Sequence, residues 1–172
     1  RDIPELPSKL HNINAENCIS LTAESLDNLY SQAKKEWLDL QIRMPGSTTL
    51  PDWFNYCCEG GTLCFRARRN VPRVALALQF AKANMNGEHS LLVSMSINGR
   101  EIKIYDGLGS YYAKQGHVLL VDLLMRIEKE LNEWMTLEWN DVEMQITCDS
   151  PVILIERCGV YVYKQQTNME NV

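Results

Sequence analysis

The sequence has little of the chemistry on which enzymes and metal proteins depend. Its three histidines, His11, His89 and His117, stand far apart, and its six cysteines, Cys18, Cys57, Cys58, Cys64, Cys148 and Cys158, include no C-x-x-C pair. A zinc site is therefore not expected. There is no G-x-S-x-G nucleophile elbow and no glycine-rich phosphate loop, so the commonest hydrolase and nucleotide-binding signatures are missing. Nucleophilic catalysis needs a base beside its nucleophile, and no such constellation emerges. No apolar run is long enough for a membrane span. Positive charge is also in short supply, with 17 Lys and Arg against 22 Asp and Glu and a net charge of -5, which leaves no footprint for general nucleic-acid binding. The expectation is a protein without catalytic residues, cofactor or metal.

What is present is ordinary globular composition. Of 172 residues, 45% are hydrophobic and 23% charged, which argues against disorder and allows a full core. The first residue is Arg1 rather than Met, so the chain reads as a piece of something longer. The even cysteine count would permit disulfides in an oxidising compartment. The favoured reading is small buried hydrophobes, with vicinal Cys57 and Cys58 facing opposite sides of a strand.

The stretch from Arg43 to Gly60, R-M-P-G-S-T-T-L-P-D-W-F-N-Y-C-C-E-G, marks a boundary. Pro45 and Pro51 cannot sit inside a helix or central strand, Gly46 suits a tight turn, and Trp53 and Phe54 bring large apolar surface at the entry to a new core. Before this boundary the chain reads helical or irregular. Leu6, Leu10, Ile13, Ala15 and Cys18 carry an L-x-x-L-x-A-x-x-C pattern that matches a leucine-rich repeat, and a single repeat cannot bury its own face. From Thr22, a plausible N-cap, Leu26, Leu29, Tyr30, Ala33, Trp37 and Leu40 recur at helical spacing. That pattern predicts a capping helix packed on the repeat or on whatever follows.

Beyond the boundary the period changes to two. Leu63, Phe65 and Ala67 alternate with Thr62, Cys64 and Arg66, so Arg66 and Arg68 should face solvent together, forming a basic patch with Arg69 and Arg73. Val74, Leu76, Leu78 and Phe80 alternate with small residues, as in a central strand covered on both faces. Residues 82–89 read as a loop. Asn98-Gly99 between alternating runs predicts a type I′ hairpin whose register sets Met95 opposite Ile102 and Val93 opposite Ile104. Residues 106–115 read as a loop carrying Tyr111 and Tyr112. A strand from Val118, a short helix through Leu123 to Trp134, a strand through Val142, Met144 and Ile146, and two closing strands at Val152 to Ile155 and Val160 to Tyr163 complete the pattern. Glu128, Glu130 and Glu133 read as a solvated acidic face of that helix.

The P-G-x-x-x-L-P-x-W-F motif resembles the entry to the C-terminal jelly-roll/Ig-like domain, also called the post-LRR domain or C-JID, of plant TIR-type NLR immune receptors. The family's usual form is P-G-x-x-I-P-x-W-F, so this chain carries one extra residue between Gly46 and Pro51 and has Leu50 for the Ile. Three later segments match in order: Arg73 to Phe80, Gly116 to Leu120, and E-W-N-D-V-E at Glu138 to Glu143 with Cys158-Gly159-Val160 downstream. The resemblance implies that Pro45, Gly46, Pro51, Trp53, Phe54, Trp139, Cys158 and Gly159 are structural. It implies 1–21 as the end of a repeat array, 22–40 as a capping helix, 41–166 as an antiparallel two-sheet β-sandwich of about eight strands, and 167–172 as a loose tail. It further implies a cytoplasmic or nuclear protein with reduced thiols. The NAD-cleaving TIR domain and nucleotide-binding switch domain of such receptors lie N-terminal to repeats of this kind and are not in this sequence.

The function implied is recognition of a pathogen effector protein by the repeats and this domain together, with receptor oligomerisation to follow. Tyr111 and Tyr112, presented by a glycine-bearing loop, are the leading binding candidates, with Arg66 and Arg68 behind them. A carbohydrate-binding, lectin-like sandwich is the alternative, because jelly rolls serve that purpose too. A lectin should place exposed aromatics beside paired carboxylates.

Overall fold

The computed structural model describes residues 4–7, 10–15, 17–18, 20–36, 41–45, 50, 52–69, 74–81, 89–104, 110–111, 117–122, 133–149 and 154–163. Among them are one helix, α1 (Ala23–Glu36), and eleven strands. The strands are β1 (Asn12–Asn14), β2 (Gln41–Met44), β3 (Tyr56–Glu59), β4 (Thr62–Arg68), β5 (Val74–Phe80), β6 (His89–Ile97), β7 (Arg100–Ile104), β8 (Ser110–Tyr111), β9 (Val118–Asp122), β10 (Trp139–Cys148) and β11 (Ile155–Val162). One sheet of six strands runs β1-β2-β9-β5-β11-β3. The other runs β4-β10-β6-β7, with β8 paired to β6. Every pairing is antiparallel except β1 on β2, and the result is a mainly β, two-sheet sandwich.

Alternation explains how the sheets meet. Leu63, Phe65 and Ala67 of β4, Val142, Met144 and Ile146 of β10, and Leu91, Val93, Met95 and Ile97 of β6 turn their apolar face inward. They pack with Val74, Leu76, Leu78 and Phe80 of β5, Leu119 of β9, and Cys158 and Val160 of β11 from the opposite sheet. The six-stranded sheet is covered on its second face as well. There Ala75, Ala77, Val118 and Leu120 join Ile42 and Met44 of β2 and Leu29 and Tyr30 of α1 in a second cluster. β5 is therefore buried along nearly its whole length, as expected of a central strand.

Thr22 caps α1 as its sequence suggests, its hydroxyl accepting from the Ser25 N–H at 3.2 Å. The Gln32 amide then ties the helix to the N-terminal segment: its oxygen accepts from Leu6 N–H at 2.7 Å and its nitrogen donates to Pro4 O at 3.2 Å. The Asn98-Gly99 hairpin is also as expected. Both residues have positive φ, 51° and 77°, as type I′ requires, and Met95 faces Ile102 while Val93 faces Ile104.

Several expectations are corrected. The chain before Pro45 is not wholly helical or irregular, because Gln41–Met44 forms β2, pairing with β9 and, in parallel, with β1. A four-residue strand ending at a proline is too short to announce itself by period. His89 belongs to β6, and Ser110–Tyr111 is a short strand paired with His89 and Ser90 where a loop was expected. The second closing strand starts earlier than expected, as β11 runs from Ile155, crosses Gly159 unbroken and carries an irregularity between Ile155 and Arg157; of the first, 152–153 lie outside the described residues. Within 41–166 ten strands are described, β2 to β11, where about eight were expected. Only Cys158 among the cysteines is fully buried; Cys18, Cys57 and Cys64 are exposed, and Cys58 and Cys148 are intermediate. Cys57 and Cys58 do alternate, one exposed and one half-buried, as neighbours on a strand should. Of the helix expected over 123–134, Glu133 and Trp134 have helical backbone and the rest lies outside the described residues. Trp37, Leu40, Gly46, Pro51, Arg73 and Tyr112 also lie outside them.

Candidate interaction surface

The outer face of the second sheet is the one broad sheet face left open among the described residues. Burial alternates strictly along β4 and β10, so the residues that do not enter the core line up on this face. Register sets Arg68 opposite Trp139, Arg66 opposite Asp141 and Cys64 opposite Glu143, with Ser96 of β6 opposite Glu143 on the other side. Trp139 is 43% exposed. Its ring lies beneath two guanidinium groups, with Arg68 Cζ 4.8 Å and Arg66 Cζ 5.8 Å from the ring centroid. Arg66 Nε also meets Asp141 Oδ1 at 3.2 Å, where the two side chains are 65% and 80% exposed. Contacts this open contribute about 1 kcal/mol or less each. They orient the groups more than they stabilise the fold.

A shallow hollow of about 470 Å³ runs beside this group, lined by Tyr56, Cys64, Arg66, Ser96, Asp141 and Glu143 among others. Tyr56 forms its wall: the ring lies 5.5 Å from Phe65 and the hydroxyl donates to the Arg66 carbonyl at 3.3 Å. The surface thus has a cationic end at Arg66 and Arg68, a planar apolar centre at Trp139, and an anionic end at Asp141 and Glu143. Among the described residues, no group of three or more His, Cys, Asp or Glu side chains is placed to hold a metal.

The residues proposed from sequence are only partly brought together. Arg66 and Arg68 share this face on edge strand β4. Tyr111 is in β8, opposite His89, at the far end of β6 from the Asn98 turn. Nine strand residues make that separation about 26 Å, so one patch does not unite Tyr111 with the arginines. Trp139, Asp141 and Tyr56 were not singled out for binding. Alternation of Val142, Met144 and Ile146 implies that 139, 141 and 143 share the opposite face, but the pairing of β10 with β4 that sets them beside the arginines links segments over seventy residues apart and has no local signature.

Trp53, Phe54 and Gly159 of the motif build a separate cluster on the helix-covered side. Pro45 is buried directly after β2. Trp53 stacks on Phe54 with centroids 4.5 Å apart, and Tyr161 meets Trp53 edge-on at 5.0 Å. Gly159 lies under this group: a Cβ there would stand 3.1 Å from Cys57 Sγ and 3.3 Å from Phe54 Cδ1. Cys158, on the opposite face of β11, enters the inter-sheet core. Its thiol pKa is raised, first by burial and then by the hydrogen bond to Cys58 and the neighbouring thiols.

No protein-family model matches the chain, and no curated protein does. Among solved structures, it is similar to the crystal structure of a ruminal GH26 endo-beta-1,4-mannanase, at 12% identity and a TM-score of 0.22, over 70% of this chain and 21% of that one. The chain thus spans about a fifth of that enzyme, and so low a score carries no argument.

Proposed function

We propose that this chain is the post-LRR sandwich of a plant TIR-type NLR immune receptor and contributes to recognition of a pathogen effector protein. The observation that carries the reading is the packing of the Trp53-Phe54 pair against Gly159 and Tyr161. Trp53 and Phe54 meet Gly159 and Tyr161 across more than a hundred residues of chain, which gives the two most distant parts of the resemblance a common physical purpose. On this reading β1 is the last strand of a repeat array and α1 its cap, while the Trp139 face is the surface that meets the effector. Tyr and Arg dominate binding elsewhere because they bring area and hydrogen bonds at modest entropic cost. A cationic end on an acidic chain suits an effector bearing carboxylates. The protein acts in the cytoplasm or nucleus, without cofactor, and the receptor oligomerises when engaged.

The experiment is co-purification of pathogen effector proteins with the chain joined to its repeats, comparing wild type with Trp139→Ala and Arg68→Glu. Loss of a captured effector in both variants at unchanged protein level supports the reading. Capture that ignores both variants removes this face from it.

One observation favours a second reading. Exposed Trp139 beside Asp141 and Glu143 is the aromatic-and-carboxylate pairing that a sugar-binding face uses, with the ring stacking on a pyranose and the carboxylates accepting from hydroxyls. Titration with plant and microbial oligosaccharides, followed by tryptophan fluorescence, separates the readings. Saturable quenching by a glycan that Trp139→Ala abolishes would favour the lectin.

A further inference from the structure

Cys58 and Cys158 sit directly opposite each other in the β3 and β11 ladder. Opposed residues of an antiparallel pair have Cα atoms about 4.5 to 5.5 Å apart, inside the range that a disulfide spans. Their sulfurs are 3.2 Å apart, so about 1.2 Å of approach separates this contact from a bond of about 2.05 Å. The two side chains differ in access: Cys58 is half-exposed and Cys158 buried. Cys58 Sγ also lies 2.8 Å from the Thr62 carbonyl, which fixes its rotamer toward the β3–β4 corner. Cys57 points to the other face of the same strand, toward Gly159 and Phe54, so its alternation removes it from the pair.

We propose that Cys58 and Cys158 are a reversible redox modification site, oxidised by a peroxide to a cross-strand disulfide that fastens edge strand β3 to β11. In the first step the accessible Cys58 sulfur attacks the peroxide; the O–O bond breaks, one oxygen stays on sulfur as a sulfenic acid, and the other leaves as water or an alcohol. In the second, the Cys158 sulfur attacks the sulfenic sulfur, the S–O bond breaks, and the hydroxyl leaves as water with the Cys158 proton. Two thiols lose two electrons and the peroxide gains them. Burial raises the Cys158 pKa, which makes it a poor first nucleophile; its place directly opposite Cys58, sulfur to sulfur at 3.2 Å, is what gives it the resolving role. The bond closes a loop between positions 100 residues apart, long enough for a large restriction of the unfolded chain. β3 leads directly into β4, so the fastening lies next to the strand that carries Arg66 and Arg68.

The test is brief exposure of the reduced folded chain to a small excess of hydrogen peroxide, then maleimide blocking, non-reducing digestion and mass spectrometry. The expected product is one cross-linked peptide pair joining Cys58 to Cys158, two hydrogens lighter than its parts and reversed by dithiothreitol. The linkage should survive Cys57→Ser and disappear in Cys58→Ser, and the melting temperature should rise by about 5 to 10 °C on oxidation. Three results overturn it: Cys158 still fully maleimide-reactive after unfolding, a link from Cys158 to Cys57, or equal cross-linking in concentrated urea. Mapping the wild-type chain decides the matter even if Cys58→Ser fails to fold.

Discussion

The side-chain nitrogen of Asn98 donates to the amide oxygen of Asn140 at 2.9 Å, tying the β6–β7 turn to the corner that enters β10. Asn140 is fully buried and completes its valences locally: its oxygen accepts from Leu137 N–H at 3.2 Å and its nitrogen donates to Leu137 O at 2.7 Å. Asn98 in turn accepts from Asp141 N–H at 3.1 Å through its own side-chain oxygen. Two asparagines therefore hold the end of the sheet from which Trp139 projects.

Asn140→Ala should destabilise the chain by about 2 to 4 kcal/mol, because it removes three hydrogen bonds, two to the Leu137 backbone and one to the Asn98 amide, made by a side chain that is itself fully buried. Gly99→Val should cost about 1 to 3 kcal/mol, since a β-branched residue is strained at positive φ. Urea denaturation of both variants checks the order. An Asn140→Ala variant as stable as wild type would show that water satisfies the corner.

The hairpin and the alternating strands were legible because their signals are local. Asn98-Gly99 dictates its turn, and a period of two fixes which face of β4 and β10 is buried. β2 and β8 were not legible, since four and two residues carry too little pattern and exist because β9 and β6 offer them hydrogen-bonding edges. The same limit hid the candidate surface: Arg66 and Arg68 were visible as a pair, yet Trp139 reaches them only through the long-range pairing of β10 with β4. Asn140 was invisible for a related reason, as its burial depends on a corner made by residues from three segments.

Gly159→Val should destabilise by about 2 to 4 kcal/mol. A Cβ at this position already stands 3.3 Å from Phe54 Cδ1, and branched methyls would drive Phe54 off Trp53 and open the outer cluster. Near-ultraviolet circular dichroism should report the loss of the Trp53–Phe54–Tyr161 packing alongside the fall in melting temperature. An unchanged aromatic spectrum in a stable variant would show that β11 can shift to admit the side chain.

Stability should fall in alkali through Cys158. Its folded pKa is raised above the ordinary thiol value of 9.0, first by burial and then by the Cys58 thiol. Above pH 9 the unfolded chain releases this proton and the folded chain keeps it, so folding binds protons and stability declines as pH rises. The slope approaches about 1.4 kcal/mol per pH unit for one such group. The contribution is fully present below pH 9. Melting curves from pH 8 to 10.5 under reducing conditions should show the decline in wild type and a shallower one in Cys158→Ala. Identical slopes would mean that the folded thiol ionises as freely as the unfolded one.

The Trp139 face makes the sharpest prediction about function, because its chemistry separates a protein partner from a sugar. Trp139→Ala and Arg68→Glu should each leave the melting temperature within about 2 °C of wild type, since exposed cation–π and ion-pair contacts contribute about 1 kcal/mol or less. Each should weaken an effector at least tenfold, a loss of about 1.4 kcal/mol in binding. Charge reversal at Arg68 should also flatten the salt dependence: if carboxylates of the partner meet the guanidinium, raising salt from 50 to 300 mM weakens wild-type binding several-fold and hardly affects Arg68→Glu. A neutral glycan stacked on Trp139 would respond differently, losing affinity in Trp139→Ala while wild-type binding stays flat across the same salt range. Arg66→Ala sits between these cases, because it frees Asp141 as well as removing one cation from the ring. It should weaken an acidic partner more than Arg68→Ala does, through the carboxylate left exposed. Equal losses in the two alanine variants would mean that the partner touches the ring and ignores the charges around it.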